Sequence, residues 1–387
     1  MNLELSEEQT AVRDLAASFT DREIAPHAAA WDRAESVDRA IIGRLGKLGF
    51  LGLTLPEEYG GSGGDHLAYC LVLEELGRGD SAVRGIVSVS LGLVGKSVNA
   101  YGTEEQKREW LPRLTSGEAL GCFALTEPGT GSDAANLTTR AVRDGGDWLI
   151  SGSKTFITNG TWADVALVFA RTGGDDPERQ GHRGVTAFLV PTGLPGFTRT
   201  EIHGKLGLRG QATAELSFDG VRVPDSARLG EVGKGFTVAM AALAKGRMSV
   251  AAGCVGIARA CLDAAVRYAG EREQFGKPIA SHQLVQELLS DIAVDVEASR
   301  LLTWKVADHI DRGLPFATES SVAKLYASEA AVRAANNALQ VFGGYGFIDE
   351  YPVGKYLRDA RVMTLYEGTS QIHKLLIGRS LTGVNAF

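Results

Sequence analysis

Val165-Ala-Leu-Val-Phe-Ala170 and Val185-Thr-Ala-Phe-Leu-Val190 are short runs of β-branched, aromatic and small apolar residues, with Asp164 before the first and Gly184 and Pro191 flanking the second. Trp148-Leu-Ile150 and Ala214-Glu-Leu-Ser-Phe218 repeat the pattern, so residues 121–235 read as strands separated by Gly, Asp and Pro turns. Outward in both directions the pattern changes. From residue 6 to about 120 it is helical: Ser6 and Gln9 make a capping box, and apolar residues recur through Val12, Leu15, Ala16, Phe19 and Ile24. A loop at residues 56–64 (PEEYGGSGG) splits this half into two helical groups. From Phe236 onward, Ala/Leu/Val stripes with few breakers are helical again. Helices, then strands, then helices cannot make one doubly wound sheet, which needs alternation. The predicted fold class is mainly α with a central β domain, divided at 1–120, 121–235 and 236–387. The polar, glycine-flanked segment 173–184 (GGDDPERQGHRG) reads as an exposed hairpin.

At 387 residues the chain has room for two or three domains and a large core. Its net charge of −7 argues against a nucleic-acid partner. Cys70, Cys122, Cys254 and Cys261 show no metal spacing and are expected to be reduced and buried, and the seven histidines include no HxxxH pair, so no metal is predicted. The N-terminus, MNLELSEEQTAVRDL, lacks the apolar stretch of a signal peptide. The most membrane-like run, residues 85–95, is short for a bilayer and bracketed by Arg84 and Lys96. A soluble, cytoplasmic protein without membrane association is expected.

Three segments carry chemistry. In Tyr366-Glu367-Gly368-Thr369-Ser370-Gln371, a glutamate precedes glycine and two hydroxyl residues, which suits a break between helices. Two readings remain: an acid facing a ligand, or an acidic residue compensating a helix dipole. Phe123-Ala-Leu-Thr-Glu-Pro-Gly-Thr-Gly-Ser-Asp133 contains a GxGxxA stretch, but Pro128 precedes it and no βαβ unit follows. It reads better as a strand end opening into a loop whose amides and hydroxyls (Thr126, Ser132) meet a polar ligand. The third segment, Gly152-Ser-Lys-Thr-Phe-Ile-Thr-Asn-Gly160, is β-like with an aromatic two residues before a threonine.

Together with PEEYGG at 56–61, YGTEEQK at 101–107, LRGQAT at 208–213, REQFGKPI at 272–279, QVFGGYGF at 340–347 and YLRDARV at 356–362, these segments resemble the acyl-CoA dehydrogenase family from end to end. The resemblance implies an N-terminal helical domain, a small β-barrel-like domain and a C-terminal four-helix bundle. It also implies FAD held between subunits of a homotetramer or dimer, an acyl-CoA substrate and an electron-transfer flavoprotein partner. Glu367 matches the base that removes the substrate α-proton, and Gly368 and Ser132 match substrate contacts. Thr126 and Thr158 match residues bonding the flavin edge, with Leu125 beside it; Phe123, Gly131 and Ser132 join this set. Phe156 stands where tryptophan is common. Arg272, Phe275, Gln283, Gln340 and Gly344 match positions reaching FAD from a neighbouring subunit, and Thr369 and Gln371 match further cofactor contacts. Structural roles stay open for Arg272 as a surface charge and Phe275 as a core aromatic.

Some members carry the base on a helix just before an arginine; here that dipeptide is Gly246-Arg247, leaving Glu367 as the family-consistent base. Arg247 matches a substrate contact, although Ala244 stands where many members have aspartate. Asp80-Ser-Ala-Val-Arg84 and the C-terminal GRSLTGVNAF resemble glutaryl-CoA dehydrogenases, in which the Arg84 position binds a distal carboxylate. Gly77 departs from that branch, which has a supporting glutamate there. Glutaryl-type oxidative decarboxylation, a carrier-protein thioester and an oxygen-using oxidase remain as alternatives.

Overall fold

The computed structural model describes residues 4–174 and 181–385. Residues 175–180 of the expected hairpin lie outside the described residues, and its end, Gly181–Gly184, is a 3₁₀ turn. The first block holds α1 (Glu7–Phe19), α2 (Ala28–Ala34), α3 (Ile41–Lys47), α4 (His66–Gly79), α5 (Ser81–Val89), α6 (Lys96–Tyr101) and α7 (Glu104–Ser116). The Ser6–Gln9 capping box forms in both directions, at 3.1 and 2.9 Å. Of the predicted α1 stripe, Ala16, Phe19 and Ile24 are buried, whereas Leu15 is 42% exposed.

The central block contains β1 (Gly121–Ala124), β2 (Arg140–Asp144), β3 (Asp147–Thr158), β4 (Val165–Arg171), β5 (Val185–Pro191), β6 (Phe197–Glu201), β7 (Thr213–Pro224) and β8 (Arg228–Leu229). They form one sheet in the order β6-β7-β3-β2-β4-β5-β8, with β1 pairing β4 in parallel. The runs that decide the fold are β4 and β5, which pair antiparallel and are buried on both faces. Side chains alternate across a strand. Val165, Leu167 and Phe169 accordingly join the helical core, while Ala166, Val168 and Ala170 join the core of the sheet. Residues 129–133 are loop leading into a short 3₁₀ turn, Ala134–Asn136, rather than a strand-to-helix turn, as expected from Pro128.

The last block is α8 (Gly235–Glu271), a hairpin of β9 (Glu273–Gln274) and β10 (Lys277–Pro278), then α9 (Gln283–Asp311), α10 (Ala317–Phe342), α11 (Val353–Met363) and α12 (Ser370–Thr382). The long helices α8, α9 and α10 pack on one another, and α4 packs on α8. All four cysteines are free and buried.

The membrane argument needs correcting on length. A π-helical turn joins α5 to α6, so helix runs unbroken over Ser81–Tyr101, and this 21-residue stretch is long and apolar enough to cross a membrane, as is α8. Packing accounts for the composition instead: the first stretch is buried in the protein except near its C-terminal end, where Ala100 is exposed, and α8 is largely buried. Arg84 and Lys96, expected as flanking charges, are themselves buried.

The α4–α8 crossing depends on absent side chains. A Cβ on Gly256 would lie 2.1 Å from the Glu74 carbonyl oxygen, and one on Gly77 would lie 2.8 Å from that of Gly253. Around this contact Glu74 and Glu75 of α4 bind Arg259 of α8, and Glu74 also binds Arg300 of α9 at 2.8 Å. Replacing Gly256 by valine should force the helices apart, costing about 2–3 kcal/mol; an unchanged thermal unfolding midpoint would contradict this packing.

Candidate active site

Glu367 sits in the connection between α11 and α12, as its neighbours predicted. The chain turns back on itself there: Tyr366 N–H bonds to the Val362 carbonyl at 3.3 Å and Ser370 N–H to that of Thr364 at 3.0 Å. Thr369 caps α12, its hydroxyl accepting from Ile372 N–H at 3.2 Å. Glu367 and Gly368 both have positive φ, 52° and 98°. For glutamate this costs about 1 kcal/mol or more and persists only where surroundings enforce it. Here Lys324 Nζ on α10 donates to the Gly368 carbonyl at 2.7 Å, and a Cβ on Gly368 would lie 3.0 Å from His373 Nε2.

The turn drives the Glu367 carboxylate against α8. A Cβ on Gly246 would lie only 2.2 Å from Oε2, so the place of the alternative base is filled by the Glu367 carboxylate itself. That oxygen is buried and has no hydrogen-bond partner among the described residues. Burial pushes the carboxyl up to about 7, against the opposing pull of Arg84, Lys324 and Arg247. A carboxylate poised near neutrality is suited to taking a proton from a weak carbon acid.

Three cations surround it. Arg84 on α5 is buried, donating to the Tyr366 hydroxyl at 2.5 Å and to Ser88 Oγ at 3.1 Å. Its Nε lacks a partner and packs on Gly253, where a Cβ would come within 2.7 Å. No carboxylate lies within ion-pair distance of it among the described residues. Arg247 on α8 makes one long contact, 3.5 Å to Ser321 Oγ, and its Nε is also unpartnered. Burial lowers the pKa of Lys324 to about 8 and that of His373 to about 3, leaving the histidine neutral.

The second group lies on the central sheet. Leu125 is buried and Thr126 half-buried where β1 opens into its loop, with Gly131 and Ser132 exposed further along. The loop is anchored from behind. Lys154 Nζ binds the Leu125 carbonyl at 3.1 Å and Glu127 at 2.8 Å, and Glu127 also accepts from Thr138 and Thr139. Burial opposes the Glu127 charge, but Lys154 and these donors bring its pKa down to about 2. Thr155 N–H bonds the Thr126 carbonyl at 2.9 Å, bringing β3 alongside. The register of β3 on β7 then shifts between Lys154 and Ile157, and within this bulge Phe156 has φ 58° and a ring 69% exposed. Thr158 Oγ1 contacts Gln211 Oε1 at 3.2 Å, and Gln211 presses on Gly85 beside Arg84. The Phe123 ring lies 4.9 Å from that of Phe169 and is half-buried.

A flavin fits this wall on structural grounds: a bare aromatic ring held in a strained bulge offers a π-face, and Thr126 and Thr158 flank it with hydroxyls. The third group lies elsewhere. Arg272, Phe275, Gln283, Gln340 and Gly344 are all exposed. Phe275, on the β9–β10 hairpin, has φ 55° and is 94% exposed, against the reading as a core aromatic. Arg272 stacks over Tyr345 and, with Gly344, lines a 530 Å³ depression. Along α8, Arg272 is 26 residues beyond Gly246, about 39 Å at 1.5 Å per residue. Thr369 serves as a helix cap, and Gln371 is exposed on α12.

Sequence reasoning missed Lys324, His373, Gln211 and the Glu127–Lys154 pair. Lys324 had a visible signal, being a lysine on the same helical face as Ser321, Ala327 and Ala331 in a stripe of small residues.

The raised Glu367 pKa has a signed effect on stability. The neutral acid is favoured in the fold, so the contribution is full below the ordinary value of 4.5 and is lost as pH rises through about 7. Glu367→Gln should therefore unfold at a higher temperature than the parent protein at pH 8 and at nearly the same temperature at pH 5. A difference independent of pH would show that Glu367 does not titrate in this way.

Known proteins align with this geometry over the whole chain. Family models described as acyl-CoA dehydrogenase N-terminal, middle and C-terminal domains match residues 6–118, 122–221 and 233–382. An acyl-CoA dehydrogenase of Bacillus subtilis (strain 168) is 44% identical, covering 98% of this chain and 100% of its own. Butyryl-CoA dehydrogenase from Megasphaera elsdenii superposes with a TM-score of 0.95 at 40% identity, over 98% of this chain and 100% of that one. Glutaryl-CoA dehydrogenase from Mycobacterium smegmatis superposes at 0.94 with 41% identity, over 100% and 97% respectively. With all three family models matched in order and a relative 44% identical over its full length, the chain belongs to the acyl-CoA dehydrogenase family.

Proposed function

We propose that the chain converts an acyl-CoA thioester to its α,β-unsaturated form, with Glu367 removing the α-proton. The observation carrying this reading is the half-buried Glu367, whose Oε2 is buried without a partner among the described residues and pressed on Gly246, and whose carboxyl is pushed up to about 7. FAD is the cofactor of this family and, when bound, accepts the two electrons leaving the β-carbon as hydride. An unactivated α-C–H is far too weak an acid for a carboxylate in water, so the developing enolate must be stabilised as it forms. The N–H of Glu367 has no acceptor among the described residues and is available to the thioester carbonyl. Arg84, Arg247 and Lys324 add positive potential nearby.

Phe156, Thr126, Thr158 and Leu125 form the flavin wall in this reading. Arg272, Phe275, Gln283, Gln340 and Gly344 serve the cofactor of a second copy, in a homotetramer or dimer; all five are exposed, and Arg272 lies about 39 Å along α8 from Gly246. Electrons then pass to an electron-transfer flavoprotein. A cytoplasmic setting agrees with four reduced, buried cysteines.

A second reading is favoured by Arg84. Its buried guanidinium has no carboxylate partner among the described residues, and Gly77 has no room for one because its Cβ position abuts the Gly253 carbonyl. Such a cation is suited to an acyl group ending in its own carboxylate, as in glutaryl-CoA.

Substrate bleaching of the flavin under anaerobic conditions tests the main reading. The rate with an effective acyl-CoA should rise with pH through a midpoint near 7, and Glu367→Gln should retain FAD while bleaching about 10³-fold more slowly. A variant as fast as the parent would remove Glu367 as the base. Butyryl-, octanoyl-, isovaleryl- and glutaryl-CoA, compared in the parent and Arg84→Met, separate the substrates. Selective loss of glutaryl-CoA turnover is expected if Arg84 is a carboxylate clamp; equal effects on all four would return it to scaffolding.

A further inference from the structure

Lys324 presents a problem that the proton abstraction alone does not resolve. It is fully buried on α10, and among the described residues it makes no ion pair. Burying an amine carries a desolvation cost of several kcal/mol, and the return here is one 2.7 Å hydrogen bond to the Gly368 carbonyl. That carbonyl belongs to the second of two consecutive left-handed residues. Neutral His373 packs on the same residue, its Nε2 standing 3.0 Å from where a Gly368 Cβ would be. Gly368 is therefore held at its carbonyl by an amine and approached at its Cα by an imidazole. Thr369, one residue further, is committed to capping α12.

We propose that Lys324 is a positioning residue for the reaction. By holding the Gly368 carbonyl it keeps the Glu367–Gly368 turn left-handed, so that the carboxylate stays pressed on Gly246 and the Glu367 N–H stays unpaired. Without this anchor, glutamate has every reason to relax to negative φ, which would swing the carboxylate away from α8. The inference rests on Glu367 being the base.

The test separates the two claims by measuring proton removal apart from electron transfer. In 3-thiabutyryl-CoA, sulfur replaces the β-carbon, so no hydride can leave, and loss of the α-CH₂ proton signal in D₂O reports α-proton exchange alone. Glu367→Gln should abolish exchange; if it does not, the base assignment fails, whatever Lys324 does. With that assignment standing, Lys324→Met should exchange about 100-fold more slowly per bound flavin, as expected for a reacting group displaced by about 1 Å. Its affinity for the analogue, measured by titration, should change only a few-fold, and Lys324→Arg should recover most of the exchange rate. Lys324→Gln, which keeps a donor without the charge, serves where methionine leaves the carbonyl unsatisfied and the protein unstable. Exchange at the parental rate in Lys324→Met, or a uniform loss of affinity and rate that Lys324→Arg does not repair, would overturn the inference. Failure of all three variants to fold with flavin would assign Lys324 to folding and overturn it equally.

Discussion

Gly246, Gly253 and Gly256 lie seven and ten residues apart on α8, a spacing that puts them on one face of the helix. Along this strip α8 offers backbone where other helices offer side chains, and three different partners use it. The Glu367 carboxylate fills the space at Gly246, the Arg84 guanidinium lies on Gly253, and the backbone of α4 closes on Gly256. Methyl groups at these positions would displace the acid, the cation and the helix that carries the cation into place. The site is thus a consequence of how closely α8 can be approached, and α4 and α5 could not present Arg84 where it is without that approach.

The electrostatics follow from the same closeness. One carboxylate with an unsatisfied oxygen sits among Arg84, Arg247 and Lys324, none of them in an ion pair among the described residues. Leaving buried cations uncompensated is costly, and protein cores usually avoid it. Concentrated beside a group pushed to about 7, the surplus is suited to receiving negative charge that develops on a bound molecule. The Glu127–Lys154 pair, a few residues from Thr126, shows the opposite arrangement. There cation and anion are fully matched, and the result is a rigid support.

The fold was legible where the signal is local. β4 and β5 are bounded seven-residue strands, the capping box at Ser6 needs four residues, and Glu367-Gly368 announces a helix break by composition. What the sequence could not display is which faces meet. The run at 85–95 looked short because periodicity says nothing of a π-helical turn that carries α5 into α6. That the Phe123 ring packs on a residue 46 positions later could not be seen in its motif. His373 gave no cue, since a histidine on the first turn of a helix is ordinary until the turn it supports is seen in three dimensions. The motifs brought most of the site residues to notice; contact distances then sorted them into an acid turn, a sheet wall and an outward-facing set.

The alternating burial of β4 and β5 has a consequence for how the molecule comes apart. Each strand contributes Val165, Leu167 and Phe169, or Val185, Ala187 and Leu189, to the core shared by the helices, while Ala166, Val168, Phe188 and Val190 belong to the core of the sheet. Detaching the helical blocks would expose one full face of the central strands to water, and collapsing the sheet would open the helical core from within. Neither can be lost while the other stays intact. A chain whose sequence divides into three blocks therefore has a cooperative unit that crosses their boundaries, and local opening is left to segments outside it, such as the exposed β9–β10 hairpin.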